Sequence, residues 1–108
     1  MEGNTAIDQP KKGNCMARYV SLIRFTEQGA RTLKGSAARA LTFRSAAEKA
    51  GVAVEAQLWT AGSCDGVLIL SGDEAKILCC LTELASAGNV RTETLRAFDA
   101  AEFKGITG

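Results

Sequence analysis

"VAVEAQLWTAGSCDGVLILS", Val52–Ser71, is the stretch that decides the fold. Its arms, VAVEAQLWT (52–60) and CDGVLILS (64–71), have the valine- and leucine-rich composition of strands. Between them AGS (61–63) is a short glycine-containing turn, so the arms are predicted to pair as a hairpin. A strand and a helix precede this hairpin, and a helix and a strand follow it. The order is then strand, helix, strand, strand, helix, strand. That is the split βαβ arrangement of a ferredoxin-like α+β domain, with four antiparallel strands and both helices on one face.

Upstream, ARYVSLIRFT (17–26) alternates Arg18, Val20, Leu22 and Arg24 against Tyr19, Ser21, Ile23 and Phe25, the period of a strand. Thr26 is placed to cap a first helical turn, EQGARTLK, which Gly29 and Gly35 weaken or end. Ser36 is expected to cap a longer helix, AARALTFRSAAEKA, presenting Ala40, Phe43, Ala47 and Ala50 on one face, with Gly51 as its stop. Downstream, Ser71 and Glu74 have the spacing of a capping box and open the helix DEAKILCCLTELASA. Its expected apolar face is Leu78, Leu81 and Ala85, flanked by Ile77 and Leu84, and Gly88 ends it. NVRTETLRAF (89–98) is the last strand, and both of its faces carry polar groups. DAAEFKGI adds a short helical turn.

With 108 residues the chain is one domain, able to bury roughly two thirds of its unfolded surface without a metal or disulfide staple. Residues 1–15 are polar, hold the only proline and show no period, so they are expected to form a flexible extension ahead of a domain spanning 16–108. The formal net charge of +1 is spread without a basic block, which argues against a nucleic-acid or anionic-membrane partner. CDGVLILS also lacks the aromatic residues with which an RNA-recognition strand stacks bases. No run is long and apolar enough to span a bilayer, and the N-terminus lacks a signal peptide's apolar segment, so a cytoplasmic location is expected.

The four cysteines, Cys15, Cys64, Cys79 and Cys80, lack zinc or redox spacing and are expected to be free, small and apolar in role. There is no histidine. That removes Ser-His and Cys-His nucleophile pairs, histidine metal sites and the commonest general base. No cofactor or metal is expected. Lys34, ahead of a helix start, offers a weak anion-holding signal.

Two helices cover only one side of a four-stranded sheet. The other side would carry either the Tyr19 set or Val20 and Leu22, together with residues of the hairpin strands, and is too apolar to leave in water. A second copy packed sheet to sheet is the simplest cover.

On these residues the chain resembles the GYD-domain proteins, small members of the dimeric α/β-barrel superfamily. The likeness is carried by YVSLIRFTEQGARTLKGS (19–36), LWTAGSCDGVLIL (58–70) and GNVRTETLRAF (88–98), and runs from about Met16 to the C-terminus. Gly62-Ser63-Cys64-Asp65 stands where the family commonly has Gly-x-Tyr-Asp, so cysteine replaces the expected tyrosine. The resemblance implies a fold and a homodimeric or higher assembly rather than a reaction. In a paired-sheet barrel the uncovered face lines the interior, where Arg24, Asp65, Arg91 and Glu93 would form a charge cluster and Trp59 a wall for a planar ligand. The expected function is a homodimeric small-molecule-binding or accessory protein. The alternatives are a cofactor-independent monooxygenase- or isomerase-type enzyme acting on a carbonyl-bearing molecule, and a structural subunit of a larger assembly.

Overall fold

The structure is a computed structural model that describes residues 16–108; the proposed extension and Cys15 lie outside the described residues. Strand β1 (Met16–Phe25) leads into a short helix α1 (Glu27–Arg31), a 3-10 turn (Leu33–Gly35) and helix α2 (Ser36–Lys49). The hairpin follows as β2 (Ala53–Trp59) and β3 (Gly66–Asp73), then helix α3 (Glu74–Ser86), strand β4 (Val90–Ala97) and helix α4 (Ala100–Thr107). The sheet runs β2-β3-β1-β4 with every neighbouring pair antiparallel. This α+β architecture is compatible with the ferredoxin-like arrangement read from the sequence.

Pairing sets the faces. Tyr19 lies opposite Leu70 and Arg96, and Ser21 opposite Leu68 and Thr94. Because strand side chains alternate, these residues share one face of the sheet. That face meets the helices: Leu68 and Leu70 are buried with Val52, Val54, Ala47, Ile77, Cys80 and Leu81, and Tyr19, Ile23, Phe43 and Leu84 pack around them. The other face takes Val20, Leu22, Val67 and Ile69 in its middle, with Leu58 and Leu95 at its edges. A β-bulge between Val54 and Ala56 lets β2 keep Val54, Gln57 and Trp59 in register with Leu70, Leu68 and Gly66. The last strand is thereby resolved: Val90, Thr92, Thr94 and Arg96 look toward the helices, and Arg91, Glu93, Leu95 and Ala97 look away. Its polar inner face is satisfied locally. Ser21, fully buried, shares a 2.9 Å hydrogen bond with Thr94, and the Arg96 guanidinium stacks 4.4 Å from the centre of the Phe98 ring.

Four local expectations are corrected. Strand β3 continues to Asp73, so Asp73 rather than Ser71 caps α3, accepting a hydrogen bond from the Lys76 amide at 3.2 Å. Gly35 occupies the cap position of α2, and Ser36 is its first helical residue with its hydroxyl used elsewhere. The buried stripe of α3 is Ile77, Cys80 and Leu81 with Leu84 beside it, while Leu78 is 45% exposed. Both stripes have helical spacing, and only the docking angle of the helix selects between them. The cysteine pair divides accordingly, with Cys80 buried and Cys79 exposed. The C-terminal element is a full helix rather than a single turn, held by a capping box between Asp99 and Glu102.

The junction after β1 is tied to the start of β4. Thr26 donates from its amide to the Asn89 carbonyl at 3.1 Å and from its hydroxyl to the Gly88 carbonyl at 2.6 Å, while the same hydroxyl accepts from the Gly29 amide. Gly29 is required here because a Cβ on it would run into the Asn89 carbonyl. Gly29→Ala is therefore expected to cost about 1–3 kcal/mol, the range for overpacking, read as a lower urea midpoint. Burial, and after it Cys79 and Glu83, push the Cys80 thiol above its ordinary pKa. The folded chain then holds that proton more tightly than the unfolded one, so this contribution is complete below the ordinary thiol range and is lost as pH rises through the folded value. Urea melts at increasing alkalinity should show the loss, and Cys80→Ala should reduce it. A thiol reagent should label Cys79 rapidly and Cys80 only on unfolding.

Candidate functional site

Helix α2 is rich in alanine, and small side chains fill little of the space between a helix and a sheet. Ala40, Ala46 and Ala47 therefore leave a cavity of about 490 Å³ between the helices and the inner face of the sheet. Its apolar wall comes from Ile23 and Phe25 on β1, Leu68 on β3, Phe43 on α2 and Leu84 on α3. The volume lies within the range of small-molecule sites, roughly 300–1,000 Å³, and the mostly apolar lining with a few polar groups is their usual composition.

Those polar groups come mainly from β2, α2 and the hairpin turn, with Glu83 added by α3. Trp59, at the end of β2 and about half exposed, donates its indole N–H to the Ser36 hydroxyl at 3.0 Å, joining the strand end to the start of α2. Gln57 donates from Nε2 to the Ala40 carbonyl at 2.9 Å, a second bond from β2 to α2. Arg39, in the first turn of α2, donates from Nη1 to the Thr32 carbonyl at 2.9 Å and to its hydroxyl at 3.2 Å. Asp65, in the hairpin turn, also lines the cavity. Its carboxylate accepts from the Phe25 amide at 2.9 Å, and its own amide donates to the Ile23 carbonyl at 2.7 Å. A second hollow of about 500 Å³ adjoins the first, sharing Phe25, Ser36, Trp59 and Asp65 and adding Leu33 and Lys34. Trp59 and Ser36 thus border both of two adjoining spaces.

The five residues singled out in the sequence are divided between two places. Trp59 and Asp65 line the cavity on the helix side. Arg24 and Arg91 face each other across β1 and β4 on the open side, and Glu93 lies opposite Leu22 on that same side. Arg24 reaches the hairpin turn by donating from Nε to the Ser63 carbonyl at 2.9 Å. Among the described residues, none of Arg24, Asp65, Arg91 and Glu93 forms an ion pair. The paired charges of the open side lie at its other end, where Arg18 meets Glu55 at 3.4 Å and Glu102 at 3.1 Å. Glu55 contributes most to holding the Arg18 guanidinium above its ordinary pKa, against a smaller opposing effect of burial and with further help from Glu102.

Sequence reasoning missed Arg39, Gln57 and Ser36 as cavity residues. The available signal was the alanine content of α2, which marks a helix unable to fill the space beside it. Cys64, in the tyrosine position of the hairpin, is held as part of a turn: its carbonyl accepts from the Thr60 hydroxyl at 2.7 Å, and its sulfur lies 3.5 Å from that oxygen. Among the described residues no group of three histidine, cysteine or acidic side chains converges as a metal site. None of the described helices is long and apolar enough to cross a membrane.

Comparison with known proteins yields one match. No curated protein and no solved structure matches the chain. The family model of the GYD domain matches residues 19–107, from the first strand through the last helix, and the chain belongs to the GYD-domain family.

Proposed function

We propose that this chain is a small-molecule-binding protein that works as a homodimer, taking an apolar ligand into the space between its sheet and helices α2 and α3. The cavity of about 490 Å³ carries this reading. An apolar hollow beside a sheet costs the fold packing that larger side chains would supply, and a ligand restores those contacts. Binding is favoured over catalysis because the walls are mainly apolar and the carboxylate of Asp65 is already engaged by the Phe25 amide.

The open face supports the dimer. Leu58 and Leu95 remain 58% and 46% exposed, flanking the strip of Val20, Leu22, Val67 and Ile69. A second copy laid sheet to sheet covers that strip and gives the dimeric α/β-barrel assembly that the family resemblance implies. Arg24, Arg91 and Glu93 then fall within the joint, where the arginines of one copy can meet the Glu93 of its twin. The cavity lies on the other side of each sheet, so ligand binding and pairing use separate surfaces.

Two measurements test these parts separately. The neutral probe N-phenyl-1-naphthylamine should bind and brighten with the wild-type chain, and Ala40→Phe, which places a ring in the cavity, should abolish that signal without lowering Tm. Unchanged binding in the variant removes the cavity as the site. Light scattering should give twice the chain mass, and Leu58→Glu together with Leu95→Glu should give the single-chain mass while the far-UV spectrum is retained. A wild-type chain that stays monomeric at micromolar concentration ends the homodimer reading.

A further inference from the structure

We propose that Arg39 is the anchor of the cavity and that its ligand is a ring-sized apolar molecule carrying a carboxylate. This rests on the binding function proposed above and adds the class of ligand. Arg39 lines the cavity, yet the hydrogen bonding of its guanidinium is incomplete. Nη1 is taken by both oxygens of Thr32, whereas Nη2 is shielded from water and has no acceptor. It is the one buried side-chain nitrogen or oxygen without a partner among the described residues. A shielded donor of a charged group normally costs enough that structures supply it with an acceptor. Among the described residues neither remedy is used: no carboxylate lies within ion-pair distance of Arg39, and the arginine stacked on aromatic rings is Arg96.

The surroundings favour an anion at this end. Arg39 sits in the first turn of α2, where the helix dipole already makes the potential positive and a cation is ill placed. That turn contains no acidic residue, and its cap position, Gly35, supplies no side-chain hydrogen bond. Lys34 lines the adjoining hollow. The opposing charges among the lining residues are Asp65 and Glu83; one carboxylate oxygen of Asp65 is occupied by the Phe25 amide, and neither acid forms an ion pair with Arg39 among the described residues. A carboxylate delivered by a ligand would give Nη2 its missing acceptor, while the walls formed by Ile23, Phe43, Leu68 and Leu84 receive the apolar body. Because Nη2 itself is shielded, the guanidinium must rotate to present it to the cavity that Arg39 lines.

The test compares 2-naphthoate with the neutral, similarly shaped 2-naphthamide by calorimetric titration of the full chain. Wild-type protein is expected to bind naphthoate about ten- to a hundredfold more tightly, the range of one hydrogen bond to a charged group. Arg39→Gln should bring the two affinities together by weakening naphthoate alone, and Arg39→Lys should keep part of the preference. Equal affinities in the wild type, or a preference that survives Arg39→Gln, overturn the anchor while leaving the apolar cavity in place. Failure of both compounds, together with failure of the neutral naphthylamine probe, removes the binding function itself. The wild-type comparison decides the ligand class even if a variant folds poorly.

Discussion

The pairing of β1 with β3 is the contact on which the rest of the molecule depends. With Tyr19 opposite Leu70 and Ser21 opposite Leu68, the alternation of both strands is locked, and a slip of one residue would exchange the two faces of the sheet. Leu68 and Leu70 then meet α2 and α3, and Val20, Leu22, Val67 and Ile69 are sent to the side that those helices do not reach. Both consequences follow from one register. One is a core on the helix side, and the other is an apolar strip that two helices cannot cover.

That core is incomplete, for a reason visible in residue types. Helix α3 brings Ile77, Leu81 and Leu84 to the sheet, but α2 brings Ala47 and Phe43 with alanines around them. The difference in side-chain volume becomes empty space beside α2. Its distance from the sheet is kept by polar bonds instead of packing: Gln57 to the Ala40 carbonyl and Trp59 to the Ser36 hydroxyl. Hydrogen bonds at the ends of β2 and α2 hold a cavity open in a way that interdigitated leucines would not.

At the end of β1 several backbone requirements are met together. Asp65 links the hairpin to Phe25 and Ile23, Thr26 links the chain after β1 to Gly88 and Asn89, and Gly29 allows that approach. The same end holds the walls of the cavity at Phe25, Asp65 and Asn89. Cavity shape is therefore coupled to how the loops after β1 and α3 are joined, and the polar residues there act first as structural ties.

The element order, the hairpin and the alternation of β1 were all legible in the sequence, because each rests on local periodicity and turn chemistry. So was the family, whose match covers residues 19–107. What tertiary structure alone decided are the choices that local signals could not settle. Ser71 carried the capping-box spacing, but strand pairing out to Asp73 moved the cap of α3 to Asp73. Leu78 and Ile77 belong to two apolar stripes of the same helix, and its docking chose Ile77. Both faces of β4 were polar, and pairing with β1 turned Thr94 inward and Arg91 and Glu93 outward. The charged residues separated across the sheet, and Arg39, inconspicuous among alanines, came to border a cavity. Periodicity states which residues share a face of an element. Which face meets which neighbour is set by long-range register and packing, and a site made from several elements exists only after those are fixed.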